Sequence, residues 1–165
     1  MAERIDDLDR LKAAKLLYFV DKQAIKETGR PILGDTYVKM ELGPVPSRAY
    51  DLIKEIGGAG MDRFGITEVS DPTKSKYPVF RSCSHPNRDV FSEAELRCIE
   101  SVVVDYGKLS GTRLSDIAHS QRAWLETQGR DIDYMLFLDD PLGTDKEIAE
   151  LMLIEQENRD FSSYL

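Results

Sequence analysis

Residues 29–56 read GRPILGDTYVKMELGPVPSRAYDLIKEI, and the path of the chain through them decides the fold. Gly29 followed by Arg30-Pro31 is a helix stop, with glycine at the end and proline just beyond. Asp35–Met40 (DTYVKM) has the content of a short strand. Gly43-Pro44-Val45-Pro46 reads as stiff punctuation, because each proline pushes the residue before it toward extended geometry. Neither proline can donate to a central sheet ladder, so the strand is expected to end here in a rigid corner. Ser47 is placed as the N-cap of a helix over Arg48–Ile56, which Gly57-Gly58 with Gly60 closes.

Before this stretch, Leu8–Thr28 carries apolar residues at Leu11, Leu16, Leu17, Val20 and Ala24, near the 3.6-residue helical period. Ala14, Tyr18 and Ile25 widen the stripe, so this helix is expected to be buried on more than one side. After it, Ile66–Val69 and Tyr77–Arg81 read as strands joined by a turn at Ser70-Asp71-Pro72-Thr73, with Pro78 marking an edge or bulge. Ser92 and Glu95 form a capping box for a helix with Leu96, Ile99, Val102, Val103 and Tyr106 inward, stopped at Gly107. A shorter helix over Thr112–His119 follows, then a turn holding Trp124, an apolar Tyr134–Leu138, and a last helix capped by Thr144 and running to Asn158. The expectation is one domain, mainly α with a small antiparallel β-sheet (α+β), of about six or seven helices and about three short strands.

A length of 165 residues with 41% apolar content suits one domain with an ordinary core. No run approaches the ~18 apolar residues of a membrane span, and the charged start MAERIDDLDRLK has no signal-peptide core, so a cytoplasmic protein is expected. The net charge of -8 is unevenly spread: residues 131–165 hold ten acidic side chains against Lys146 and Arg159 and carry all of it. That acidic end repels phosphate backbones and suits a basic partner or a solvated helix face. Lys12, Lys15, Lys22 and Lys26 on the first helix are expected to form a second surface of opposite sign.

The chemistry-bearing residues are few. Cys83, His85, Cys98 and His119 lack the close Cys pairs of zinc sites, and Cys98 reads as a buried thiol, so no metal site is assigned. There is no G-x-S-x-G, and the Gly57–Gly60 run lacks a P-loop lysine. His119 is placed at a helix end, where its ring donors can satisfy the last carbonyls. Asp6-Asp7 and Asp139-Asp140 read as solvated pairs. LSGTRLSDIAHSQRAWLE has a faint helix-turn-helix pattern offering Gln121, Arg122 and Glu126, but the acidic chain disfavours nucleic acid.

Three stretches taken together resemble the Panacea domain, the SocA-like antitoxin domain. Gly29–Ile56 resembles its signature, KLLYFVDKQAIKETG (Lys15–Gly29) its first helix, and LSDIAHSQRAW (Leu114–Trp124) its later helix with a histidine followed by a tryptophan. The resemblance spans about residues 8 to 126 and implies a Panacea domain over 1–130, with 131–165 as its acidic helical extension. It implies a bacterial or phage antitoxin that binds a co-encoded protein toxin directly, with no catalytic role and no cofactor. One branch of the family acts as a proteolytic adaptor, so an ATP-dependent protease is a further candidate partner. A DNA-binding autorepressor is a third reading, and self-association into a homo-oligomer stays open. The residues carried over as partner-binding are Lys15, Tyr18, Asp35, Tyr37, Gly43, Pro44, Val45, Pro46, Tyr50, His119 and Trp124. Phe161–Leu165 is weighed as a tether for a protease.

Overall fold

The computed structural model describes residues 1–56, 65–70 and 77–162, without the side chains of 155 and 157–162. Helix α1 (Arg10–Thr28) is the axis of the fold. Asp9 caps it by accepting from the Lys12 N–H, and Gly29 ends it in the left-handed conformation at φ 74°. The helix therefore starts two residues later than its sequence suggests, because Asp9 is the better cap. Leu16, Tyr18, Val20, Ala24 and Ile25 are all buried along it, which matches a helix covered on several sides.

The quoted stretch does not end its strand at the prolines. Strand β1 (Tyr37–Met40) turns through Glu41-Leu42 and pairs antiparallel with β2 (Gly43–Pro46). The register explains how two prolines fit a ladder. Tyr37 opposes Pro46 and Lys39 opposes Pro44. The Lys39 N–H instead donates to the Arg130 carbonyl, and the Tyr37 carbonyl accepts from the Ile132 N–H. Tyr37 and Lys39 thus direct their backbone groups away from β2, and the prolines fall at positions where no cross-strand N–H is needed.

Ser47 is the first residue of α2 (Ser47–Ile56), not its cap. The cap comes from across the hairpin: the Asp35 carboxylate accepts from the N–H groups of Arg48 at 3.1 Å and Ala49 at 2.8 Å. The glycines expected to close α2, and the Ser70–Thr73 turn beyond its first residue, lie outside the described residues. Strands β3 (Ile66–Val69) and β4 (Val79–Ser82) form a second antiparallel pair. The described strands thus number four in two hairpins, where about three in one sheet were expected. Pro78 directly precedes β4, and the Phe80 N–H donates to the Leu8 carbonyl beyond the pair.

Helix α3 (Glu93–Tyr106) begins with the expected Ser92/Glu95 capping box and buries Cys98, Val102 and Val103. Helix α4 (Gly111–His119) is capped by Ser110, and α5 (Arg122–Leu125) is a single turn. A short 3-10 segment covers Tyr134–Phe137. The last helix, α6, spans Lys146–Ser162; the Asp145 carbonyl accepts its first bond, from Ala149, so Thr144 lies before the cap position. The architecture is α-dominated α+β.

The core is organised by aromatic rings. Tyr18, Tyr37 and Phe137 meet edge to face, with Tyr18–Phe137 and Tyr37–Phe137 centroids each 5.0 Å apart, and Phe19 stacks on Tyr106 at 4.5 Å. Phe137, Leu138 and Ala149 bring the chain beyond Arg130 into this same core.

Candidate functional site

The β1–β2 hairpin is held by side chains reaching its carbonyls from the helices below. Lys15 Nζ donates to the Pro44 carbonyl at 2.7 Å, and Ser115 Oγ donates to that of Leu42 at 2.7 Å. His119 Nε2 lies 3.1 Å from the Glu41 carbonyl, so Nε2 carries the hydrogen. His119 therefore satisfies the hairpin and not the end of its own helix, as its sequence position suggested. Its ring packs on Trp124 at 4.4 Å, and Lys39 Nζ sits 4.9 Å from the Trp124 ring centroid while donating to the Thr127 carbonyl.

Gly43 is required at the turn for two reasons. Glu41 and Leu42 keep negative φ, so the left-handed step falls on Gly43 at φ 101°. A Cβ there would also lie 3.0 Å from Lys15 Nζ. Lys15 is fully buried, and burial alone holds its ammonium down to about 7.

Asp21, which sequence reading passed over, organises the connection between α1 and β1. Its carboxylate accepts from the Ile32 and Leu33 N–H groups, each at 2.8 Å, and from the Tyr37 hydroxyl at 3.1 Å. Burial pushes its pKa up against those three bonds. The only signal for it was an acidic residue inside an otherwise apolar helix stripe.

Eight of the eleven residues carried over as partner-binding are buried: Lys15, Tyr18, Asp35, Tyr37 and the four of Gly43–Pro46. They build and brace the hairpin. Tyr50, His119 and Trp124 are half-buried and reach the surface.

The lysine-rich face does not exist as a surface. Lys12, Lys15 and Lys22 are buried. Lys12 pairs with Asp7, while Lys22 and Lys26 both pair with Asp139. Burial raises the Asp139 carboxyl, but hydrogen bonds from both lysines outweigh it and hold the pKa below the usual range. Asp7 and Asp139 are thus ion-pair partners of α1, not free solvated carboxylates, and the two surfaces of opposite sign meet at Asp139. The helix-turn-helix reading fails on similar grounds. Arg122 is spent on Glu126 and the Leu138 carbonyl, Gln121 accepts from Lys22, and the second helix is one turn long. Cys98 is buried as expected, its thiol pushed up to about 11 by burial and by the Glu27 carboxylate. Cys83 is exposed, and His85 pairs with Glu3.

A groove of about 720 Å³ opens beside the hairpin turn. Leu11 and Ala14 of α1 and Val45 and Tyr50 line it, with Met40 and Leu42 at the turn. Glu68, Tyr77 and Pro78 line it as well.

A family model described as "Antitoxin SocA-like, Panacea domain" matches residues 14–125, from within α1 to the end of α5. The chain belongs to the SocA-like antitoxin family. The Panacea match takes in the braced hairpin and its three anchors Lys15, Ser115 and His119. Neither the curated proteins nor the solved structures yield a match. No described helix is long and apolar enough to cross a membrane.

Proposed function

We propose that this protein is an antitoxin that neutralises a co-encoded protein toxin by direct, non-catalytic contact. Membership of the SocA-like family over residues 14–125 carries the reading. The net charge of -8 favours a basic toxin, since opposite charge speeds encounter and penalises wrong partners.

The test is co-expression with the adjacent open reading frame, scoring growth and co-purification. Rescue with a stable complex in hosts with and without ATP-dependent proteases supports direct neutralisation. Rescue that vanishes in the protease-deficient host transfers the reading to a proteolytic adaptor. A neighbouring product that is harmless and does not co-purify removes the antitoxin reading.

A further inference from the structure

We propose that the groove beside the β1–β2 turn is the toxin-docking surface, and that its occupant is an apolar segment of the toxin flanked by lysine or arginine. This rests on the antitoxin reading above and adds to it a site and a partner chemistry.

Large apolar side chains gather on one depression. Met40 is 43% exposed, Leu42 52% and Tyr77 59%, around a floor that includes Leu11, Ala14 and Val45. Isolated exposed apolar residues are ordinary, whereas a cluster around a concavity marks a binding surface. Met40 and Leu42 stand exposed beside the depression, so a ligand that filled only the floor would leave them solvated. A polypeptide segment covers both.

The turn is pre-shaped. The carbonyls of Glu41, Leu42 and Pro44 are held by His119, Ser115 and Lys15, so Met40 and Leu42 project from a backbone fixed at three points. Little chain entropy is lost when such a surface is covered.

The charge around the groove fixes the flanks of the occupant. Among the described residues, three carboxylates line it, from Asp9, Glu41 and Glu68, against one guanidinium, that of Arg10. Arg10 is already engaged by Glu68 in two hydrogen bonds, at 2.9 and 3.1 Å. Asp9 accepts one backbone N–H at the start of α1, a neutral donor that does not cancel a carboxylate's charge. The described lining residues leave a negative balance, which repels a phosphate backbone and also a second copy of this acidic chain, and attracts a basic flank.

The probe is the purified product of the adjacent open reading frame, titrated against the full chain in low and high salt. Leu42→Glu and Met40→Glu each place a charge on the exposed turn and are expected to weaken binding by about 30-fold or more, as hot-spot losses do. Val104→Glu, at an exposed position of α3 that is not among the described residues lining the groove, is expected to bind as the parent does. Glu41→Lys is expected to slow association and flatten its salt dependence while the thermal melt is unchanged. If the parent binds and Leu42→Glu binds equally, the groove is overturned and the antitoxin reading stands. A parent that neither binds nor rescues overturns both. Tighter binding by Glu41→Lys overturns the basic flank. A toxin-free dimer that Leu42→Glu dissociates, measured by sedimentation, overturns the toxin as occupant in favour of a second copy.

Discussion

Lys15 Nζ donates a 2.7 Å hydrogen bond to the Pro44 carbonyl from a fully buried position, and no ion pair joins it among the described residues. A buried ammonium without a counter-ion costs free energy, so burial brings its pKa from 10.5 to about 7. Between those values the unfolded chain binds more protons than the folded one. Stability from this group therefore rises with pH across the window, and its penalty is complete below about 7. The stability of Lys15→Met minus that of the parent is expected to be largest at the low end of the window and to shrink toward the high end. Denaturant titrations across the pH series check this. A difference that does not change with pH would show that Lys15 does not titrate within the fold.

Gly43→Ala combines a positive φ with a Cβ 3.0 Å from Lys15 Nζ. Strain of this kind costs roughly 1–3 kcal/mol. The expected result is a loss of that size in the denaturation midpoint analysis, with the toxin affinity falling in parallel because the turn shifts.

Two buried tyrosines should respond in opposite directions to the same substitution. The Tyr18 hydroxyl is buried with no hydrogen-bond partner among the described residues, so Tyr18→Phe removes an unsatisfied group and is expected to be neutral or to stabilise by up to ~1–2 kcal/mol. The Tyr37 hydroxyl donates to Asp21, so Tyr37→Phe is expected to destabilise by ~1–3 kcal/mol. Thermal melts of the two variants decide it, and equal shifts would count against the hydrogen-bond assignment.

Asp35→Ala strips the cap that two backbone N–H groups of α2 rely on. A loss of ~1–2 kcal/mol is expected, with the amide protons of Arg48 and Ala49 exchanging faster than in the parent. Unchanged exchange would place the cap elsewhere.

Asp139→Asn leaves Lys22, at 8% exposure, without its carboxylate. The expected cost is about 1–2 kcal/mol, below the ~3–5 kcal/mol of a fully buried pair because Asp139 is half exposed. The Asp139 pKa is depressed, so its contribution is present above the ordinary carboxylate range and is lost as pH falls through it. An acid titration of parent and variant should converge at low pH.

What the sequence determined by itself was local and periodic. The apolar stripe of α1, its Gly29 stop, the Ser92/Glu95 box and the position of β3 all follow from residues within a few positions of each other, and each is observed, while β4 starts two residues later than Tyr77, after Pro78. The family was legible too, because its signature is contiguous. What only the tertiary structure decided was pairing across distance. Gly-Pro-Val-Pro became a strand because residues 130–132 take the outward hydrogen bonds of Tyr37 and Lys39, and Lys15 waits 29 positions away for the Pro44 carbonyl. Lys12, Lys15 and Lys22 went inside because Asp7, Pro44 and Asp139 meet them there. Helical spacing tells which side chains share a face; it does not tell what that face will meet, and that meeting sets whether a charge is solvated or buried.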